Sequence, residues 1–223
     1  MDKKIYILGF LWVIYLFLLL PWHLIREKSR TDILRYGVKM TLSGVFCLVG
    51  MAGVILYERT LSGGLILAGL LCAMAGDYYM VFAKVDMGAL KKGILLFGMT
   101  QLSYIGFLVM QSGFHILESV VTVCIFAVAI SIGKLLGIQT KKIRYPIVCY
   151  LTLVIFMTVK SVLVFEDSGQ PLLGVFMVGA LFFLVSDGIL CLWMFRFSQK
   201  FLSFLVSVFY FSAQLLIATS LFL

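Results

Sequence analysis

Apolar stretches long enough to cross a bilayer follow one another along this chain almost without pause, and the basic residues fall in the gaps between them. In hydrocarbon no water can satisfy a free N–H or C=O, so a crossing segment must bond its own backbone, as a helix does. Runs of about 20 apolar residues suit the helix, which needs that many to cover a core about 30 Å thick. With 63% hydrophobic and only 13% charged residues, and a mean hydropathy of +1.13, the expectation is an all-α protein. Residues 1–223 read as one polytopic transmembrane helical bundle.

Eight spans are predicted, at roughly 4–22, 38–57, 62–83, 92–110, 117–136, 145–164, 171–195 and 201–222. The first follows Lys3 and Lys4 but lacks a small-residue cleavage site, and Trp22 closes it as an interfacial anchor, so it reads as a retained span. Arg26, Lys28, Arg30, Arg35 and Lys39 lie between the first two spans or just inside the second; Lys84, Lys91 and Lys92 lie between the third and fourth. Lys134, Lys141, Lys142 and Arg144 separate the fifth and sixth, and Arg196 and Lys200 the last two. All of these belong to one face; Lys3, Lys4 and Arg59 belong to the other, and Lys160 lies near the outer end of the sixth span. The positive-inside rule makes the basic face cytoplasmic and puts both termini on the opposite side, in what is expected to be a bacterial plasma membrane. The net charge of +8 therefore reports topology, and no nucleic-acid partner is expected.

Two aspartates interrupt this apolar background, Asp77 in LLCAMAGDYYMVF and Asp187 in LFFLVSDGILCLWMF. An ionisable group at bilayer depth costs about 2.5–3.5 kcal/mol even on the most lenient scale, which makes it a functional candidate. Counted back from Lys84 and Arg196 at 1.5 Å per residue, both carboxylates lie roughly 10–13 Å from the inner boundary. Gly69 precedes Asp77 by the same interval at which Gly179 precedes Asp187, as a weak parallel repeat of two four-span halves would arrange. No lysine or arginine is expected at that depth. Two unpaired carboxylates in one low-dielectric pocket cannot both ionise cheaply, so one is expected to hold a proton and the other to accept one. That division supports acid/base catalysis, and equally proton-coupled transport of a lipid or small molecule.

Other polar side chains at compatible depth are Gln101, Tyr104, Tyr150, Ser186, Tyr210 and Gln214; each either supports the carboxylates or makes ordinary interhelical hydrogen bonds. Lys39 is placed to meet a lipid phosphate or to snorkel. Glu118, Glu166 and Asp167 read as solvated at the outer boundary, and Gly50, Gly53, Gly133 and Gly137 as helix-packing positions. The five cysteines (Cys47, Cys72, Cys124, Cys149, Cys191) lie in apolar runs without CxxC spacing and read as core residues. His23 and His115 belong near opposite faces, so neither a zinc site nor any other cofactor is expected. There is no GxSxG elbow.

In their order along the chain these residues resemble the YhhN-like lysoplasmalogenase family of eight-span membrane proteins. The resemblance rests on Lys39, on Gly76-Asp77, on Gln101 and Tyr104, and on Pro146, Tyr150 and Met157. It continues through Gly179, Phe183, Ser186 and Asp187 to Tyr210, Ala213 and Gln214. Met40 and Gln101 depart from it, since many members have Pro and His there. The resemblance implies hydrolysis of the vinyl ether bond of a lysoplasmalogen, without a metal, to a fatty aldehyde and a glycerophospho-base. Its partners would be a lysophospholipid, water and the bilayer, with Asp77 and Asp187 catalytic and Lys39, Gln101, Tyr104, Tyr150, Ser186, Tyr210 and Gln214 supporting or binding substrate.

Overall fold

A computed structural model describes Tyr15, Pro21 and residues 32–57, 60–83, 85–138, 143–197 and 199–223. Among them are seven helices, each long and apolar enough to cross a membrane: α1 (Asp32–Leu56), α2 (Thr60–Phe82), α3 (Met87–Ser112), α4 (Ile116–Leu135), α5 (Arg144–Ser168), α6 (Pro171–Phe195) and α7 (Lys200–Ser220). They correspond to the second through eighth predicted spans. The first, 4–22, lies outside the described residues apart from Tyr15 and Pro21. The chain is thus an integral, multi-pass, all-helical membrane protein.

Glycines end three of the helices: Gly113, Gly137 and Gly169 follow α3, α4 and α5 with φ of 69°, 69° and 62°, a conformation open to glycine because it has no Cβ. Gly137 is therefore a helix stop rather than a packing residue. Gly50 and Gly53 do pack, as expected: a Cβ at Gly53 would lie 2.6 Å from that of Leu221, and one at Gly50 would run into Leu70.

Six helices close into a ring in the order α1, α2, α3, α5, α6, α7 and back to α1, while α4 stands outside it, packed on α5. Gly69 and Asp77 recur 110 residues later as Gly179 and Asp187, and a hydrogen bond joins Tyr104 to Gln214 across the same interval of 110. That offset carries α1, α2 and α3 onto α5, α6 and α7, and the neighbour relations transfer with it. The α1–α2, α2–α3 and α3–α5 contacts become α5–α6, α6–α7 and α7–α1. Even α4 on α5 has its counterpart, in the Tyr15 hydroxyl donating to the Leu42 carbonyl of α1. Two equivalent positions can touch only on the axis that relates the halves, so the Tyr104–Gln214 bond marks that axis.

Packing differs between the two ends of the ring. Away from the basic loops a continuous core fills it, including Phe46, Leu70, Tyr104, Phe107, Phe176 and Phe183. In α7 nearly every residue from Tyr210 to Ser220 is buried, whereas Ser203 alone is buried before it. The basic end is hollow.

One charged pair sits in the solid part. Lys160 is fully buried, and its Nζ donates to Glu118 Oε1 at 2.6 Å and to the Gly113 carbonyl at 2.6 Å, 5.5 Å from the Phe114 ring. Glu118 is thus buried at 1% exposure instead of solvated as expected, because an ammonium on the neighbouring helix neutralises it. Glu166 and Asp167 are exposed. The cysteine expectation holds for Cys47, which is buried; Cys72 and Cys191 are half-buried, and Cys124 and Cys149 face outward, where hydrocarbon is as apolar as a core.

A Cβ at Gly69 would enter the Tyr104 ring, while one at Gly64 would meet nothing within 4 Å. Gly69→Ala is expected to destabilise the bundle by about 1–3 kcal/mol, read as a lower melting temperature in detergent, and Gly64→Ala to leave it unchanged.

Candidate active site

In the hollow end lies a cavity of about 500 Å³ whose wall includes Asp77 of α2 and Asp187 of α6, with Lys39, Tyr150, Ser186 and Tyr210. The antiparallel run of neighbouring helices puts the first halves of α1, α5 and α7 level with the second halves of α2 and α6, which is why residues so far apart in the chain share this wall.

Asp77 is 1% exposed and richly partnered. Its Oδ2 accepts the hydroxyls of Ser43 and Tyr210, each at 2.7 Å, and its Oδ1 lies 3.1 Å from Lys39 Nζ. The expectation that no cation reaches this depth is therefore corrected. Lys39 begins within one turn of Ser43 on the face of α1 that meets α2, and its flexible stem carries the ammonium inward to the carboxylate instead of outward to the interface. Two hydroxyl donors and the Lys39 ammonium thus converge on the Asp77 side chain, the charge-assisted kind of hydrogen bond that is shortest and strongest.

Asp187 is set differently. It is half-buried, and its Oδ2 lies 2.6 Å from the Tyr150 hydroxyl. No lysine or arginine among the described residues comes within ion-pair distance of it. The Tyr150 hydroxyl can donate to it or accept from it.

The remaining expected residues divide. Tyr210 and Tyr150 reach the carboxylates directly. The fully buried Gln101 amide lies beside the Tyr150 phenol without making a hydrogen bond of ordinary length. Ser186, next to Asp187 in sequence, turns away and donates to the Val206 carbonyl at 3.1 Å. Tyr104 and Gln214 bond each other at 2.7 Å and stand behind the cavity as a structural tie. Ser43 is the member the sequence reading missed; its one signal is a hydroxyl one turn after Lys39 on the same face of an apolar helix.

The site offers one carboxylate fixed by a cation, one carboxyl free of any, two phenols, and an apolar wall. Such a set can hold a proton and its acceptor apart at the edge of a water-poor space. Among the described residues no group of histidine, cysteine or carboxylate side chains is arranged to bind a metal ion.

Residues 34–221 match the sequence model of the YhhN family. No curated protein and no solved structure matches the chain.

Removing one partner of a buried ion pair strands the other. Because the Lys39 side chain is 21% exposed, Lys39→Met is expected to destabilise by about 1–3 kcal/mol, less than for a fully buried pair. The double variant Lys39→Met/Asp77→Asn should lose less than the single variants added together, measured as a double-mutant cycle of thermal unfolding in detergent.

Proposed function

The chain belongs to the YhhN family, and on that premise we propose that it hydrolyses the vinyl ether bond of lysoplasmalogens, releasing a fatty aldehyde and a glycerophospho-base. The observation that carries this reading is the unlike partnering of two aspartates on one cavity wall, Asp77 with Lys39, Ser43 and Tyr210, Asp187, among the described residues, with Tyr150 alone. A vinyl ether opens when its alkene carbon remote from oxygen takes a proton, leaving an oxocarbenium-like charge on the carbon next to oxygen. Asp187, which has no counter-ion among the described residues, gives that proton. Asp77, paired with Lys39, stabilises the positive centre and takes a proton from the water that attacks it. The resulting hemiacetal breaks its C–O bond as the proton taken up by Asp77 passes to the glycerol oxygen and the hemiacetal O–H proton goes to Asp187, which releases the aldehyde and alcohol and restores both acids. Tyr150 and Tyr210 fix the carboxyl groups, and Lys39, with three donors, has capacity left for the lipid phosphate.

The same carboxylates would serve a proton-coupled carrier, but α2 and α6 run unbroken through Asp77 and Asp187. Carriers commonly interrupt the helices that bind their ions. The positive-inside rule places the hollow end toward the cytosol, so substrate would come from the inner leaflet of a bacterial plasma membrane.

Purified protein given lysoplasmalogen, saturated ether lysolipid and ester lysolipid is expected to yield aldehyde from the first alone. Asp187→Asn and Asp77→Asn should each lower the rate by about 10²–10⁴-fold while the melting profile stays cooperative. Full activity in both variants would overturn the mechanism, and substrate-dependent proton flux into liposomes without lipid turnover would favour the carrier.

A further inference from the structure

The cavity does not stop at the carboxyl groups. Its lining includes every residue of α6 from Val185 to Phe195. Successive residues of a helix point 100° apart at 3.6 per turn, so a space touched by eleven in a row, as that range spans, wraps the helix and reaches its outer flank. On that flank its far wall is α4, through Ala129, Ile132 and Gly133, continued by Leu136 just past its end. This is the helix outside the ring, and only 11% of its span is buried.

Two glycines keep the passage open. Gly188, next to Asp187, is exposed, and a Cβ there would meet nothing within 4 Å; one at Gly133 would touch only the Ile138 methyl, at 4.0 Å. Gly133, expected to pack helices, thus borders a space instead. The charged groups of the lining, Lys39, Asp77 and Asp187, lie on α1, α2 and α6, whereas the wall toward α4 is hydrocarbon. The charged end of α4's own anchorage, Glu118 on Lys160, is in the first turn of that helix, away from the stretch that lines the cavity.

We propose that the passage between α4 and α6 is the binding site for the hydrocarbon chain of a single-chain lipid, which reaches the carboxyl groups sideways from the bilayer, with Gly188 and Gly133 setting the length and width it accepts. The amphipathic layout selects such an occupant: a polar end beside Lys39, Asp77 and Asp187, and an apolar tunnel leading away from it. The volume of about 500 Å³ is in the range of pockets that take one small ligand, which suits a single-chain lipid. The proposal rests on the hydrolase reading for what happens at the polar end, but the binding of the chain is separable from turnover.

Trp193 lines the same cavity and serves as a reporter. The full chain in nanodiscs would be titrated with saturated ether lysolipids, which have no vinyl ether to cleave, of eight to eighteen carbons and brominated near the chain end. Quenching of tryptophan fluorescence beyond that caused by a brominated two-chain lipid, and its loss in Trp193→Phe, is the expected result. Gly188→Leu and Gly133→Phe should weaken binding of the sixteen-carbon lipid at least tenfold and that of the eight-carbon lipid far less, and should shift turnover of lysoplasmalogens toward shorter chains. Quenching no greater than with the two-chain lipid, or an unchanged length dependence in both glycine variants, would overturn the proposal. Length-dependent quenching without turnover of lysoplasmalogen would uphold the chain site and remove the hydrolase reading alone.

Discussion

A carboxylate inside a bilayer has to be answered by other groups, and the way Asp77 is answered organises half of this molecule. Its two oxygens draw in Lys39 and Ser43 from α1 and Tyr210 from α7, so three helices converge on one side chain of α2. That convergence sits at the seam where the last helix of the ring meets the first. In hydrocarbon there is no apolar driving force between helices, because lipid tails are as apolar as leucine; polar bonds and close packing must supply the cohesion. The Tyr150–Asp187 and Tyr104–Gln214 bonds do the same at the α5–α6 contact and across the ring.

The solid end and the hollow end follow from the same chemistry. Where side chains are large and apolar, as with Phe176 against Tyr104 and Phe107, rings interlock and exclude space. Toward the basic loops several cavity-lining positions go to short polar residues, among them Ser203 and Ser207, and the ring does not fill itself. A space left beside a buried ion pair is the setting in which an acid and a base can be kept at different charge, since low polarity magnifies each local difference in partners.

The helices were legible because hydropathy and the gaps carrying Lys and Arg are both one-dimensional signals. Asp77 and Asp187 were legible for the same reason, as exceptions to composition. What could not be read was the direction of a flexible side chain: Lys39 at a span end looks alike whether it snorkels outward or bends inward, and only the packing of α1 on α2 decides. Lys160 and Glu118 lie 42 residues apart with nothing local to pair them. The opening beside Gly133 was invisible because an empty volume is the sum of what many distant side chains fail to fill, and the GxxxG spacing suggested contact instead.

The interval of 110 residues has a consequence for how the two acids came to differ. It sets Lys39 and Ser43, the partners of Asp77, against Cys149 and Leu153 in the second half, which offer Asp187 neither an ammonium nor a hydroxyl. Two identical half-length chains joined about a dyad would be bound by symmetry to give both acids the same neighbours. Within one covalent chain no such bond holds, and each acid keeps its own company: Lys39, Ser43 and Tyr210 for Asp77, Tyr150 for Asp187.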